Sequence, residues 1–256
     1  MGKPAIHVVW AIPRSLSSAF ERAMLERGDI AILHEPFSYL FYLGDKKVTD
    51  IPNFHPDPTH PVDYEAIKDM ILNYPLTDGK VGIFVKDMAL HCIDYLLQDV
   101  EFLCSVNHSF IIRDPYKVVA SNFEMNDKVT CPEIGYEEQH TLFQRIHKQT
   151  GRYPVVVDAD ELQKAPGHVL MAYAQQMGLP AVACCENWDA KKKIEQWEVW
   201  REWHAVAAES SGIKPYSDNS KAKRVIDQHP HLKEYVQYHS KFYAALRVHA
   251  ITAPKE

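Results

Sequence analysis

The chain reads as an α/β domain: a parallel five-stranded sheet flanked by helices, followed by a helical C-terminal part. Three observations predict this. Five short, almost wholly apolar runs rich in β-branched residues recur over the first two-thirds of the sequence. Segments with helical apolar spacing separate them, and after Pro180 such runs stop. Strands that are apolar on both faces must be covered on both faces, and a parallel sheet wrapped by helices does this.

In order, the first run is "AIHVVWAI", which breaks at Pro13. An amphipathic helix follows from about Ser17 to Arg27, and then the second run, "IAILHEPF". A helical stretch near Tyr64–Leu72 leads to "VGIFVKD", and one near Ala89–Leu97 leads to "HSFIIRD". Helices near Tyr116–Glu124 and Glu137–Gln149 precede the fifth run, "YPVVVDADEL". The whole, residues 1–256, reads as one domain with its core over about 5–180 and helices over 181–256. Two irregular loops stand out, Gly44–Pro61 with four prolines and Asn126–Gly135. Such loops are active-site lids or surface insertions.

The 256 residues suffice for a full core, and 46% hydrophobic with 24% charged residues is ordinary globular composition. A formal charge of −6 argues against nucleic acid or an anionic membrane as partner, since both need a basic face. From Lys214 to Glu256 eight basic and four acidic residues make this end +4 and the remainder −10. That end is a solvated helix face or an aid to holding an anionic ligand. The five cysteines form an odd, unpatterned set, which implies reduced thiols and a cytoplasmic setting. The N-terminal apolar run is too short for a signal peptide. Ile6 stands where a myristoylation motif needs Ser or Thr. No stretch is long enough to span a membrane.

In such sheets ligands sit at the carboxyl ends of the strands. There the sequence puts Arg14 after the first run, His34-Glu35 after the second, Lys86-Asp87 after the third and Arg113-Asp114 after the fourth. Two arginines, a lysine and several carboxylates thus share one rim. The loop "PRSLSS" joins strand to helix as phosphate loops do, with amides and the hydroxyls of Ser15, Ser17 and Ser18 as donors. Arg14 adds a planar fork suited to phosphate or sulfate. The plain alternative makes Ser15 or Ser17 a helix N-cap and Arg14 a surface cation. The Walker signature is absent, which counts against an ATPase or GTPase. Further on, Asp114 and Pro115 suit a helix start. Ser121 follows Arg113 by eight residues, a rise of about 12 Å that both side chains can share around one phosphate. The alternative pairs Arg113 with Asp114.

Together, Arg-Ser-x-Ser-Ser after the first strand, His-Glu-Pro-Phe after the second and Arg-x7-Ser around the fourth resemble the sulfotransferase family. Its members use 3′-phosphoadenosine 5′-phosphosulfate (PAPS) and release the desulfonated nucleotide PAP. The likeness spans about Val8 to Leu162 and is greatest to small bacterial members. A tryptophan-rich helical end like "EQWEVWREWHA" is also similar. The resemblance implies that Arg14, Ser15, Ser17 and Ser18 contact the 5′-phosphosulfate and that Arg113 and Ser121 clamp the 3′-phosphate. It sets Lys86 near the bridging oxygen and matches Glu35 to a catalytic base. Two departures matter: many members have glycine where this chain has Leu16, and others have a catalytic histidine where it has Met88. Some relatives carry an aminotransferase name, but no lysine context for pyridoxal phosphate accompanies it here.

The expected function is therefore sulfuryl transfer to a hydroxyl or amine of a small-molecule acceptor. The rivals are a small-molecule or nucleotide kinase of related fold and a non-catalytic PAP-binding protein. The alternatives to Glu35 as base are His34 and His91, and the plain alternative sets Glu35 in a salt bridge with Arg14 or Lys86. Strand alternation predicts that His34 and Glu35 face opposite sides. The fourteen histidines show no metal-ligating motif, so no metal is expected. Trp197, Trp200 and Trp203 recur every three residues, as a core stripe or a substrate wall. The "VVVDADEL" segment reads as support for the nucleotide pocket, with Asp158 and Asp160 alternatively as caps of the following helix.

Overall fold

The apolar runs form strands where their β-branched side chains pack on both sheet faces. The computed structural model describes residues 4–45, 47, 53–77, 79–182, 185–190 and 192–254. Strand β1 (Ala5–Ala11) leads through a short loop to helix α1 (Ser17–Glu26) and strand β2 (Ile30–His34). Helices α2 (Ser38–Leu43) and α3 (Tyr64–Leu72) precede β3 (Gly82–Met88). A 3-10 turn (Ala89–His91), α4 (Ile93–Leu96) and α5 (Val100–Ser105) lead to β4 (Asn107–Ile112). Then come α6 (Pro115–Met125), α7 (Tyr136–Thr150), β5 (Val155–Asp158), α8 (Ala159–Lys164) and α9 (Pro166–Gln176). The C-terminal part holds a 3-10 turn (Glu195–Trp200), α10 (Arg201–Ala208), α11 (Ser220–Gln228), α12 (Pro230–Arg247) and β6 (Ala250–Ile251).

The strands form one parallel sheet in the order β2-β3-β1-β4-β5-β6. Along β1, Ile6, Val8 and Trp10 face one layer with residues of α3, α5 and α7. Val9 and Ala11 face the other with residues of α1 and α9. A third cluster joins α6 to α11 and α12 through Val118, Val119, Ile226, Leu232 and Val236. The chain leaves β1 toward β2 on one side and leaves β4 toward β5 on the other. The crevice of the sheet therefore opens between the ends of β1 and β4, where Arg14 and Arg113 stand.

Two expectations need correction. The sheet has six strands, because α12 returns the chain to the sheet edge and Ala250–Ile251 pair with Val156–Val157. Two residues are too few to show a strand pattern in sequence. The helix expected over Ala89–Leu97 is broken at Cys92 into the 3-10 turn and α4. The cap reading holds for Asp114, which accepts from the Tyr116 amide at 2.8 Å, and for Asp158, which accepts from that of Asp160 at 2.7 Å.

Candidate active site

The loop after β1 takes its shape from two non-glycine residues in the left-handed region, Arg14 (φ 64°) and Leu16 (φ 70°). Each costs about 1–2 kcal/mol in that conformation, and strain of this kind gathers at ligand loops. Ser15 is fully buried, and its Oγ donates to the Ile12 carbonyl at 2.8 Å, so its hydroxyl ties the loop down. Ser17 and Ser18 line the cavity above. Neither Ser15 nor Ser17 caps α1. Its N-cap is Leu16, which offers no side-chain acceptor, so no side chain blocks the amides of the first turn. A helix end in this state attracts an anion.

The basic residues meet at the same point. Arg14 Nε donates to Ser121 Oγ at 3.0 Å and its Nη1 to the Trp203 carbonyl at 3.2 Å. Arg113 Nη1 donates to the Arg14 carbonyl at 3.0 Å, while its Nε is buried without a partner. The Arg113–Asp114 pairing does not form, since Asp114 holds the Tyr116 amide and the Asn219 side chain. Burial pushes both arginines below the usual guanidinium range, and for Arg14 the charge of Arg113 adds to it. Both desolvated cations stand beside the uncapped start of α1, and among the described residues neither forms an ion pair.

Lys86 and Glu35 form the second half of the site. Lys86 is paired in register with His34 and with Val9, and its Nζ donates to Glu35 Oε1 in a buried ion pair. Burial would push the Glu35 carboxyl up. The Lys86 ammonium, helped by His34, His91 and His204, outweighs this and holds it well below the usual carboxylate range. His34 and Glu35 do not face opposite sides. Glu35 has φ 44°, so alternation ends at His34, and His34 Nε2 lies 3.9 Å from Glu35 Oε1. Asp87 braces this turn: it accepts from the Phe37 and Met88 amides and contacts His91 Nδ1, each at 2.7 Å.

The residues that sequence reasoning missed come from far along the chain. His204, on α10, contacts Ser18 Oγ through Nδ1 at 2.8 Å and His34 Nε2 through Nε2 at 2.9 Å. His34 Nδ1 in turn meets Glu21 Oε2 at 2.7 Å. The only signal was a histidine beside the tryptophan repeat. His34, Glu35 and His204 offer ligand atoms within 4.8 Å of one another. Lys86 donates to the Glu35 carboxylate, and the two imidazoles bond each other directly. The tryptophans divide: Trp197 is buried against His204, while Trp200 and Trp203 line the cavity. Phe41, Tyr42, Met88 and Leu90 complete an apolar wall beside Lys86 and Glu35. Asn126, Val129 and Glu133 bring the Asn126–Gly135 loop to the cavity. Of the Gly44–Pro61 loop, residues 46 and 48–52 lie outside the described residues. Beyond them Phe54 stacks on Trp200 at 4.4 Å.

The profile of the sulfotransferase domain family matches residues 6–239, nearly the whole chain. The chain belongs to this family. The fold agrees: the crystal structure of a sulfotransferase from Alicyclobacillus acidocaldarius superposes with a TM-score of 0.51 at 13% identity, covering 82% of this chain and 95% of that one. Two Arabidopsis thaliana proteins are similar in sequence to this sulfotransferase-family chain. Branched-chain-amino-acid aminotransferase-like protein 2 is 27% identical over 209 residues, and protein 1 is 26% identical over 219. These stretches are 80% and 83% of this chain but 35% and 37% of those proteins, so the chain spans about a third of their length. Among the described residues, no helix is long and apolar enough to cross a membrane.

Proposed function

We propose that the chain transfers a sulfuryl group from PAPS to a hydroxyl or amine of a small-molecule acceptor in the cytoplasm. One observation carries this reading. The two desolvated arginines and the uncapped start of α1 share a cavity with the buried Lys86–Glu35 pair. The first set suits a bound anion and the second suits chemistry on it. The orphaned Arg113 Nε favours a ligand with a phosphate there. The aminotransferase name of the plant relatives describes proteins most of whose length this chain does not span.

The 5′-phosphosulfate would lie on the α1 amides with Ser17, Ser18 and Arg14, while Arg113 and Ser121 would hold the 3′-phosphate. Ser15 would contribute through the loop shape it fixes. In the reaction the acceptor oxygen or nitrogen attacks sulfur, the bond from sulfur to the bridging oxygen breaks, and its electron pair stays on the leaving phosphate. Lys86 neutralises that charge as it forms. Glu35 takes the acceptor's proton. The ion pair links the two roles: as Lys86 turns to the bridging oxygen, Glu35 loses the partner that keeps it a weak base.

A thermal-shift comparison tests the donor. PAP should stabilise the fold far more than ADP, which lacks the 3′-phosphate. A ligand at 100 times its Kd contributes about 2.7 kcal/mol. Arg113→Ala should erase the preference. Equal responses to PAP and ADP in the unaltered protein would sink the reading.

A further inference from the structure

Four side chains run in single file from the loop into the protein: Ser18, His204, His34 and Glu21. Their links are 2.8 Å, 2.9 Å and 2.7 Å, and the His34 and Glu21 side chains are each 2% exposed. Each link can hold one hydrogen, and a neutral imidazole carries one N–H and one bare nitrogen. The directions of all three bonds are therefore tied together. With the Glu21 carboxylate accepting from His34 Nδ1–H, His34 Nε2 is bare and accepts from His204 Nε2–H. His204 Nδ1 is then bare and accepts the Ser18 hydroxyl hydrogen. In this state Ser18 turns only lone pairs toward the cavity, which an incoming anion's oxygens repel.

One extra proton reverses the outer links. His34 then carries N–H on both nitrogens, His204 accepts at Nε2 and donates from Nδ1, and the Ser18 hydrogen is released toward the ligand. We propose that His204 and His34 are positioning residues that couple anion binding to uptake of one proton from water, converting Ser18 from acceptor to donor. The inference rests on the reading that this loop takes the sulfuryl donor. No bond other than those to hydrogen changes, and the added charge rests on His34 against the Glu21 carboxylate.

The charged surroundings agree with that placement. Glu21 faces the pair from α1, Glu35 from the turn after β2, Lys86 from β3 and Arg14 from the loop, and His91 lies near Glu35. Burial, then His34 and Lys86, hold His204 well below the usual histidine range, and of the two imidazoles it is His34 that bonds a carboxylate. Trp197 Nε1 donates to the other Glu21 oxygen at 3.4 Å and keeps it turned to His34.

Calorimetric titration with sulfate, which stays ionised throughout, and with PAP at about pH 8 tests this. In buffers of different ionisation enthalpy the heats should report about one proton taken up per anion, and Kd should rise about tenfold per pH unit. His204→Asn puts a side-chain amide where Nδ1 stands and can donate N–H to Ser18 at any pH, so it should bind with no uptake and a flat pH profile. Nitrogen NMR of the unaltered protein should show His204 Nδ1 gaining its hydrogen when sulfate binds. Binding without proton uptake or without that tautomer change overturns the inference alone. Failure of both anions to bind overturns the donor reading and the inference with it.

Discussion

The Lys86–Glu35 pair sits on the line between stability and chemistry, and a double-mutant cycle separates the two. Both side chains are buried, at 1% and 5% exposure. Removing one partner of a buried pair leaves an uncompensated charge and costs about 3–5 kcal/mol. Glu35→Gln and Lys86→Met should each lose that much by urea denaturation followed through tryptophan fluorescence. The double variant buries no lone charge, so its loss should fall several kcal/mol short of the sum of the two. Turnover should behave differently. Glu35→Gln should lose about 100-fold or more, the scale of acid–base catalysis, while still binding PAP. The double variant should regain stability without regaining turnover. Near-normal turnover in Glu35→Gln, with a large loss in His34→Ala or His91→Ala, would move the base to a histidine. Additive stability losses would refute the buried pair. The sign with pH also follows. Because the Glu35 carboxyl is held down in the fold, its contribution is complete above the ordinary carboxylate range. It disappears only as pH falls well below that range.

Leu16→Val places a β-branched residue at φ 70° and should destabilise by about 1–2 kcal/mol, whereas Leu16→Gly relieves the conformation and should cost less; equal losses by denaturation would refute the strain. Asp87→Asn weakens the bonds to the Phe37 amide and His91 and should cost about 1.5–3 kcal/mol, read as a lower urea midpoint. His108 accepts from Trp10 Nε1 at 3.0 Å, and burial lowers its pKa from 6.5 to about 4. The unfolded chain therefore takes up the proton first, so stability should be level above about pH 6.5 and fall by about 3 kcal/mol toward pH 4. His7, lowered to about 4 by burial and Arg27, adds to the same slope. His108→Gln should flatten it in part, and an unchanged slope would refute the assignment.

What the sequence determined by itself is what local pattern carries. Apolar runs without alternation required a two-sided parallel sheet, and the polar residues ending those runs had to share its carboxyl rim. Glu35 and Arg113 were legible because each directly follows a strand, Arg14 because it opens the loop three residues past β1, and Lys86 because it is the polar break near the end of β3. Leu16 was legible as a departure, but only the folded loop gave it a left-handed backbone. Tertiary structure decided the rest, because the deciding contacts join residues far apart in the chain. The C-terminal helices carry His204 to Ser18 and His34, across 186 and 170 positions, and no linear motif records such a meeting. The same return path makes Ala250–Ile251 a sixth strand and turns Trp200 and Trp203 into cavity wall. At Glu35 a single positive φ overrides the alternation that would have parted it from His34. Strand periodicity is a property of extended backbone, and it ends where the backbone turns to build a site.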